Sequence, residues 1–247
     1  MTELAIIGGT GLTALNNLTI THREELDTPY GKPSGPLSYG EIAGKKVIFM
    51  PRHGAEHTIP PHKINYRANI WALKNAGVKR VIAVAAVGGI SEDMEPAALA
   101  VPDQIIDYTS GRVNTFFEED LTEVTHIDFT YPYSEGLRKL ILSACLNINI
   151  DVCAHGVYGA TQGPRLETMA EINRMERDGC TLVGMTGMPE AALARELDLE
   201  YACLAVVANW AAGKSDGEII TMDDIEKVLK EGMAKVRQVL EQVLLQA

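Results

Sequence analysis

The chain has 247 residues, 46% of them apolar, and 22 basic against 33 acidic side chains give a formal net charge of −11 at pH 7. That length supports a sizeable core in one large domain or two small ones. The acidic balance argues against nucleic acid or an anionic membrane surface as partner, since both need a basic footprint, so any anionic substrate must meet a local positive field.

Leu4–Ile7 predicts a first strand, followed directly by Gly8-Gly-Thr-Gly11. Glycines after a strand let backbone N–H groups approach an anion, and Thr10 adds a hydroxyl. The stretch from Gly9 to Ala14 also fits G-x-G-x-x-A, so a dinucleotide-dependent oxidoreductase stands as an alternative, as does a plain tight turn. Against the dinucleotide, Leu15-Asn-Asn-Leu-Thr-Ile-Thr21 is a poor helix, and without a helix no dipole holds a pyrophosphate.

A second strand, Lys46–Met50, ends at Pro51, and Arg52-His53-Gly54 begins at its exit, where an arginine fork suits phosphate or carboxylate oxygens. His53, His57 and His62 invite a metal site, but Gly54 and Pro60-Pro61 break any helix that would align them, so no metal is expected. His62 to Ala76 predicts a helix with Ile64, Ala68 and Trp71 on one face, closed by Gly77. Arg80–Ala85 is the next strand. The small residues Ala85-Ala-Val-Gly-Gly89 then either expose backbone amides or make a close-packed turn.

Gln104–Tyr108 predicts a strand, Ser110 to Asp128 a polar mobile or interface loop, Pro132 to Asn147 a helix and Gly156–Ala160 a strand. Gly163-Pro-Arg-Leu-Glu167 sets a carboxylate beside a turn, and Glu167 to Asp178 predicts a helix. Thr181–Met185 is a strand ending at Thr186, and Pro189 opens a short helix to Leu197 whose N-terminal amides point back at that hydroxyl. The apolar run Tyr201–Ala208 stops at the carboxamide of Asn209, and a last helix spans Met222 to Leu245.

Strands and helices alternating over the whole length predict one α/β domain, 1–247, around a mixed and mostly buried β-sheet. The four cysteines, Cys145, Cys153, Cys180 and Cys203, form no CxxC pair and read as free thiols of a reducing compartment. With no signal-peptide pattern at Met1 and no apolar run of membrane-helix length, a cytoplasmic protein is expected. Asn209 and Glu167 are either caps of local turns or a base-reading pair. As a pair they suit a 6-oxopurine, because a carboxylate accepts from the N1–H that hypoxanthine and guanine carry, while an amide donates to N7 or O6.

The ordered set Ile6-Ile-Gly-Gly-Thr-Gly-Leu12, Arg52-His-Gly54, His57-x-Ile-x-Pro61, Asn65-Tyr-Arg-Ala-Asn-Ile-Trp-Ala-Leu73, Gly163-Pro-Arg165 and Met185-Thr-x-x-Pro-Glu190 resembles the methylthioadenosine phosphorylase branch of the purine nucleoside phosphorylase family. The resemblance implies that Thr10, Arg52, His53, Thr186 and the backbone at Ala85 and Ala86 hold inorganic phosphate. It implies Met185 against the ribose, Asn209 at N7 and O6, Glu167 at N1, and Trp210 and Ala211 beside the base. His126 would sit near the 5′ end of the sugar, supplied by a neighbouring copy, and Met222 and Ile225 would pack on a 5′-methylthio group. Asn209, Arg52 and Thr186 would carry the catalysis, with phosphate as co-substrate, no metal or organic cofactor, and a homotrimeric assembly.

Three departures refine that expectation. Adenine-specific members carry two acids where Asn209 and Ala211 stand, Ala85 replaces a hydroxyl residue, and the sequence ends at Ala247 where some relatives continue over the 5′ pocket. A methylthio-type sugar pocket joined to an oxopurine-type base pocket is similar to the branch acting on 5′-methylthioinosine. The implied reaction is phosphorolysis to hypoxanthine and 5-methylthioribose 1-phosphate. Alternatives are a general 6-oxopurine nucleoside phosphorylase acting on inosine or guanosine, and a methylthioadenosine phosphorylase.

Overall fold

A computed structural model describes residues 3–12, 15, 17–119, 121–215 and 222–246, with the side chains of Met222 and Asp224 outside that set. In chain order the elements are β1 (Leu4–Gly8), β2 (Thr19–Glu24), β3 (Leu37–Ile42), β4 (Lys45–Pro51), α1 (Tyr66–Asn75), β5 (Arg80–Gly89), β6 (Leu99–Ala100), β7 (Gln104–Asp107) and α2 (Glu135–Asn147). They continue with β8 (Val152–Cys153), β9 (Val157–Ala160), α3 (Met169–Arg177), β10 (Leu182–Gly184), α4 (Gly187–Glu196), β11 (Glu200–Trp210) and α5 (Met222–Gln246).

The strands form one mixed sheet whose main path runs β2-β3-β4-β1-β5-β10-β9-β7, with β11 branching from β5 towards β6 and β8. Burial on both sheet faces explains the continuous apolar runs. On β1, Ala5 and Ile7 join one layer while Leu4 and Ile6 join the other. On β11, Cys203, Ala205 and Val207 face the first layer, and Ala202, Leu204, Val206 and Ala208 the second. Ile70 and Leu73 of α1 with Leu193 of α4 close the first layer; Leu137 and Ile141 of α2 with Leu229 and Val236 of α5 close the second.

The single α/β architecture expected from the sequence is therefore present. Several element boundaries differ from expectation, among them the start of α2 at Glu135 and not Pro132 and the end of β11 at Trp210 and not Ala208. Three have a clear physical reason. The helix expected from His62 starts at Tyr66, where the Asn65 side chain accepts from the Ala68 amide, and a separate 3-10 turn occupies Pro61–Lys63. The helix expected from Glu167 starts at Met169, because Thr168 caps it in a reciprocal bond pair with Glu171. The strand expected to end at Ala85 runs on to Gly89, paired with both β11 and β10. Glycine is needed at its end, since a Cβ on Gly89 would lie 1.8 Å from the Met94 carbonyl oxygen.

Strands β2, β3, β6 and β8 are additions to the sequence reading. Strand β2, Thr-Ile-Thr-His-Arg-Glu, is exposed throughout and exists only through its pairing with β3, so it leaves no periodic trace. Among the described residues no helix is long and apolar enough to cross a membrane. All four cysteines are free.

Candidate active site

The site begins as a gap in the sheet. Strand β1 pairs with β5 only as far as Ala83, and β10 joins β5 only from Gly88, so one edge of residues 84–87 has no strand beside it. The other edge remains paired with β11. Backbone groups of successive strand residues point to opposite edges, so with the Val84 carbonyl turned into the gap, Ala86 also faces it while Ala85 faces β11; both alanines line a cavity. Open backbone groups in such a place need a partner from ligand or water.

Arg52 fills part of the gap. Its Nη1 donates to the Val84 carbonyl at 2.8 Å, while Nε and Nη2 donate to the two Glu190 oxygens at 2.7 and 2.8 Å. Tyr201 adds a hydroxyl donor to Glu190 at 2.8 Å. Arg52 and Glu190 are 1% and 0% exposed, so this pair sits in the protein interior. Burial alone would pull the guanidinium pKa down, but the Glu190 carboxylate overrides it and holds it above the ordinary value. Two of its five N–H groups remain for a ligand. The glycine at position 9 follows from this packing: a Cβ there would lie 2.6 Å from the Val84 carbonyl oxygen and 2.8 Å from Nη1 of Arg52.

His53 and Thr186 stand beside Arg52 on the cavity wall, and Thr10 faces them. The His53 Nδ1 lies 2.8 Å from the Ile59 carbonyl, which only accepts, so Nδ1 carries the proton and Nε2 the lone pair of the neutral ring. Burial and the adjacent Arg52 hold its pKa down at about 4. Thr10 shares a 3.1 Å hydrogen bond with Nε2 of His57. Thr186 is the N-cap of α4 yet makes no side-chain cap bond; its amide donates to the Tyr158 hydroxyl at 3.4 Å, and the residue lines the cavity. The regular helix starts at Pro189, as expected, because Met188 is extended (φ −118°, ψ 139°).

The same cavity is also lined by Glu167, Met185, Asn209, Ala211 and Ile225. Because Thr168 and Glu171 cap α3 between themselves, Glu167 is excluded from the helix and accepts instead from the Thr161 hydroxyl at 2.6 Å. Asn209 is not at the end of its strand. A register shift between Val207 and Asn209 gives Ala208 no partner of its own on β5, and this bulge turns Asn209 towards the cavity. Its Nδ2 donates to the Trp210 carbonyl at 2.7 Å. A carbonyl only accepts, so the contact fixes which side of the amide is nitrogen and leaves one N–H and Oδ1 free.

Eleven expected residues therefore meet in one cavity: Thr10, Arg52, His53, Ala85, Ala86, Thr186, Met185, Glu167, Asn209, Ala211 and Ile225. Trp210 does not line it; alternation along the strand sends it to a shallow surface with Ile90 and Lys214. His126 is exposed and outside the lining. The Met222 side chain lies outside the described residues. Sequence reading missed Glu190, Tyr201 and Thr161 as supports, although Glu190 lies inside a quoted motif. Gly9 to Leu12 form a turn, and among the described residues the next regular element is β2, with no helix between them to meet a pyrophosphate. Among the described residues no three His, Cys, Asp or Glu side chains are grouped to hold a metal.

The family model described as the phosphorylase superfamily matches residues 3–245. The chain belongs to that superfamily. It is 59% identical over 244 residues to a probable S-methyl-5'-thioinosine phosphorylase of Pseudomonas syringae pv. tomato, covering 99% of each chain. A probable 6-oxopurine nucleoside phosphorylase of Moorella thermoacetica is 42% identical over 98% of this chain and 92% of its own. Among solved structures, methylthioadenosine phosphorylase from Schistosoma mansoni in complex with adenine superposes with a TM-score of 0.95 at 32% identity, covering 100% of this chain and 92% of that one. The expectation of a phosphorylase is met, and nothing in these relatives supports a dinucleotide-dependent oxidoreductase.

Proposed function

We propose that this phosphorylase cleaves S-methyl-5'-thioinosine with inorganic phosphate, giving hypoxanthine and 5-methylthioribose 1-phosphate. The observation that carries the reading is the pairing of an orientation-locked carboxamide, Asn209, with a carboxylate, Glu167, in one cavity. Glu167 accepts from the N1–H of a 6-oxopurine, and the free N–H of Asn209 meets N7 or O6. Arg52, Thr10, Thr186 and the gap-facing backbone of Ala86, beside Ala85, receive phosphate.

The C1′–N9 bond stretches first, leaving positive charge on the sugar and negative charge on the departing base. Phosphate oxygens stabilise the sugar cation and then bond to C1′. Asn209 meets charge growing on the purine, a contact stronger in the transition state than in the ground state. Orientation and hydrogen bonding supply the catalysis, so the reading requires phosphate as co-substrate and no metal or organic cofactor. Ile225, 8% exposed and apolar, suits a methylthio group better than a 5′-hydroxyl. The reading extends to a cytoplasmic homotrimer, in which the exposed His126 of one copy completes the 5′ end of the next.

Release of hypoxanthine from methylthioinosine, followed with and without phosphate, tests the reaction. Phosphate-dependent release supports it, and absence of release contradicts it. The resemblance to 6-oxopurine phosphorylases favours one second reading, a general inosine and guanosine enzyme. That reading predicts inosine turnover at least equal to methylthioinosine turnover.

A further inference from the structure

Arg112 stands in the irregular segment between β7 and α2, outside the cavity lining. Its Nη1 donates to the Met185 carbonyl at 2.8 Å, the Met188 carbonyl at 2.6 Å and the Tyr66 hydroxyl at 3.2 Å. Its Nη2 donates to the carbonyls of Gln162 at 2.8 Å and Thr161 at 3.2 Å, and Nε to the Gln162 side-chain oxygen at 3.1 Å. Every acceptor is neutral. Among the described residues no carboxylate lies within ion-pair distance of Arg112, unlike Arg52, Arg67, Arg138 and Arg165.

The four backbone carbonyls belong to two chain segments. Thr161 and Gln162 follow β9, while Met185 and Met188 follow β10. The ladder between these strands ends at Gly184 and Ala160, and the Thr161 amide bond to the Gly184 carbonyl is the last rung. Beyond it the guanidinium takes over as the link. Thr161 holds Glu167, and Met185 and Thr186 line the cavity, so one planar fork sets the spacing between the two walls.

We infer that Arg112 is a positioning residue that fixes the base wall against the sugar and phosphate wall, so that disturbing it weakens both substrates together. This rests on the proposed phosphorolysis of a 6-oxopurine nucleoside. A lysine keeps the charge but offers a compact head with three donors, which cannot span four separated carbonyls.

The test compares full-length wild type, Arg112→Lys and Arg112→Ala by steady-state kinetics with methylthioinosine and phosphate varied in turn, beside urea unfolding. For Arg112→Lys, kcat/KM falls about 100-fold with both KM values raised, as displacement of a positioned group by about 1 Å does, while the unfolding midpoint stays near wild type. In Arg112→Ala, millimolar guanidinium restores part of the lost rate. An Arg112→Lys enzyme within about twofold of wild type, or one with only a single KM altered, overturns the inference. So does a loss that follows the unfolded fraction and ignores guanidinium. Should Arg112→Ala not fold, the lysine variant decides alone. A wild type inactive on every nucleoside contradicts the proposed function; calorimetry of hypoxanthine and of phosphate with wild type and Arg112→Lys then decides this inference. Weakening of both ligands upholds it, and any other pattern overturns it.

Discussion

Arg52 and Glu190 are joined by two parallel hydrogen bonds of 2.7 and 2.8 Å in the protein interior, although 138 residues separate them in sequence. The relationship means that the cation proposed to meet phosphate is already balanced by a carboxylate. In the proposed reaction it would act through aimed N–H groups more than through net charge. Glu190→Gln leaves the guanidinium buried without its counter-charge, a change that costs about 3–5 kcal/mol in comparable pairs. Urea unfolding of the variant is expected to show a loss of that size, with KM for phosphate raised. An unchanged midpoint would contradict the buried-pair account.

Thr161 supports Glu167 without reaching the ligand cavity itself. Thr161→Val removes a hydrogen bond to a charged group, worth about 1.5–3 kcal/mol, so KM for the nucleoside should rise about tenfold to a hundredfold. KM for phosphate should hardly move. Steady-state kinetics with each substrate varied separately checks the split.

Asn209→Asp replaces the free amide N–H at the bulge with a carboxylate. The loss of one preorganised donor to a developing charge costs about 10²–10³ in kcat on 6-oxopurine nucleosides. A carboxylic acid can donate to N7 and accept from an exocyclic amine, so the preference against adenine nucleosides should narrow. Competition between methylthioinosine and methylthioadenosine, measured on both enzymes, reads the change directly.

Much of this site was legible in the chain because strand ends carry their own punctuation. Arg52 after Pro51 and Thr186 before Pro189 announce side chains delivered where a strand stops, and Asn209 stands out after an apolar run although β11 continues past it to Trp210. Three things were not legible. Ala85 and Ala86 are reached through a gap that depends on where β1 stops and β10 starts, which is a tertiary register and leaves no local pattern. The bulge at Ala208 falls where the apolar run meets Asn209, which reads as a strand end and not as a bulge. Glu190 reads as an ordinary first-turn acid of a helix, and only the fold brings Arg52 to it.

His53 ties stability to pH. Its folded pKa, about 4, lies below the ordinary value of 6.5 because of burial and the neighbouring Arg52. Between those values the unfolded chain binds the proton and the folded chain does not, so stability rises with pH. The contribution is fully present above 6.5 and is lost as pH falls towards 4. Urea midpoints of wild type and His53→Gln across that window should converge as the pH falls, since the variant lacks this slope. Parallel curves would show that His53 titrates normally.

The central claim is that Glu167 and Asn209 read a keto purine. The ratio of kcat/KM for methylthioinosine to that for methylthioadenosine, at saturating phosphate, tests it most directly. Sites built around a base N–H reject analogues lacking it by about four orders of magnitude, and a ratio approaching that size is expected here. Equal values for the two nucleosides would contradict the account.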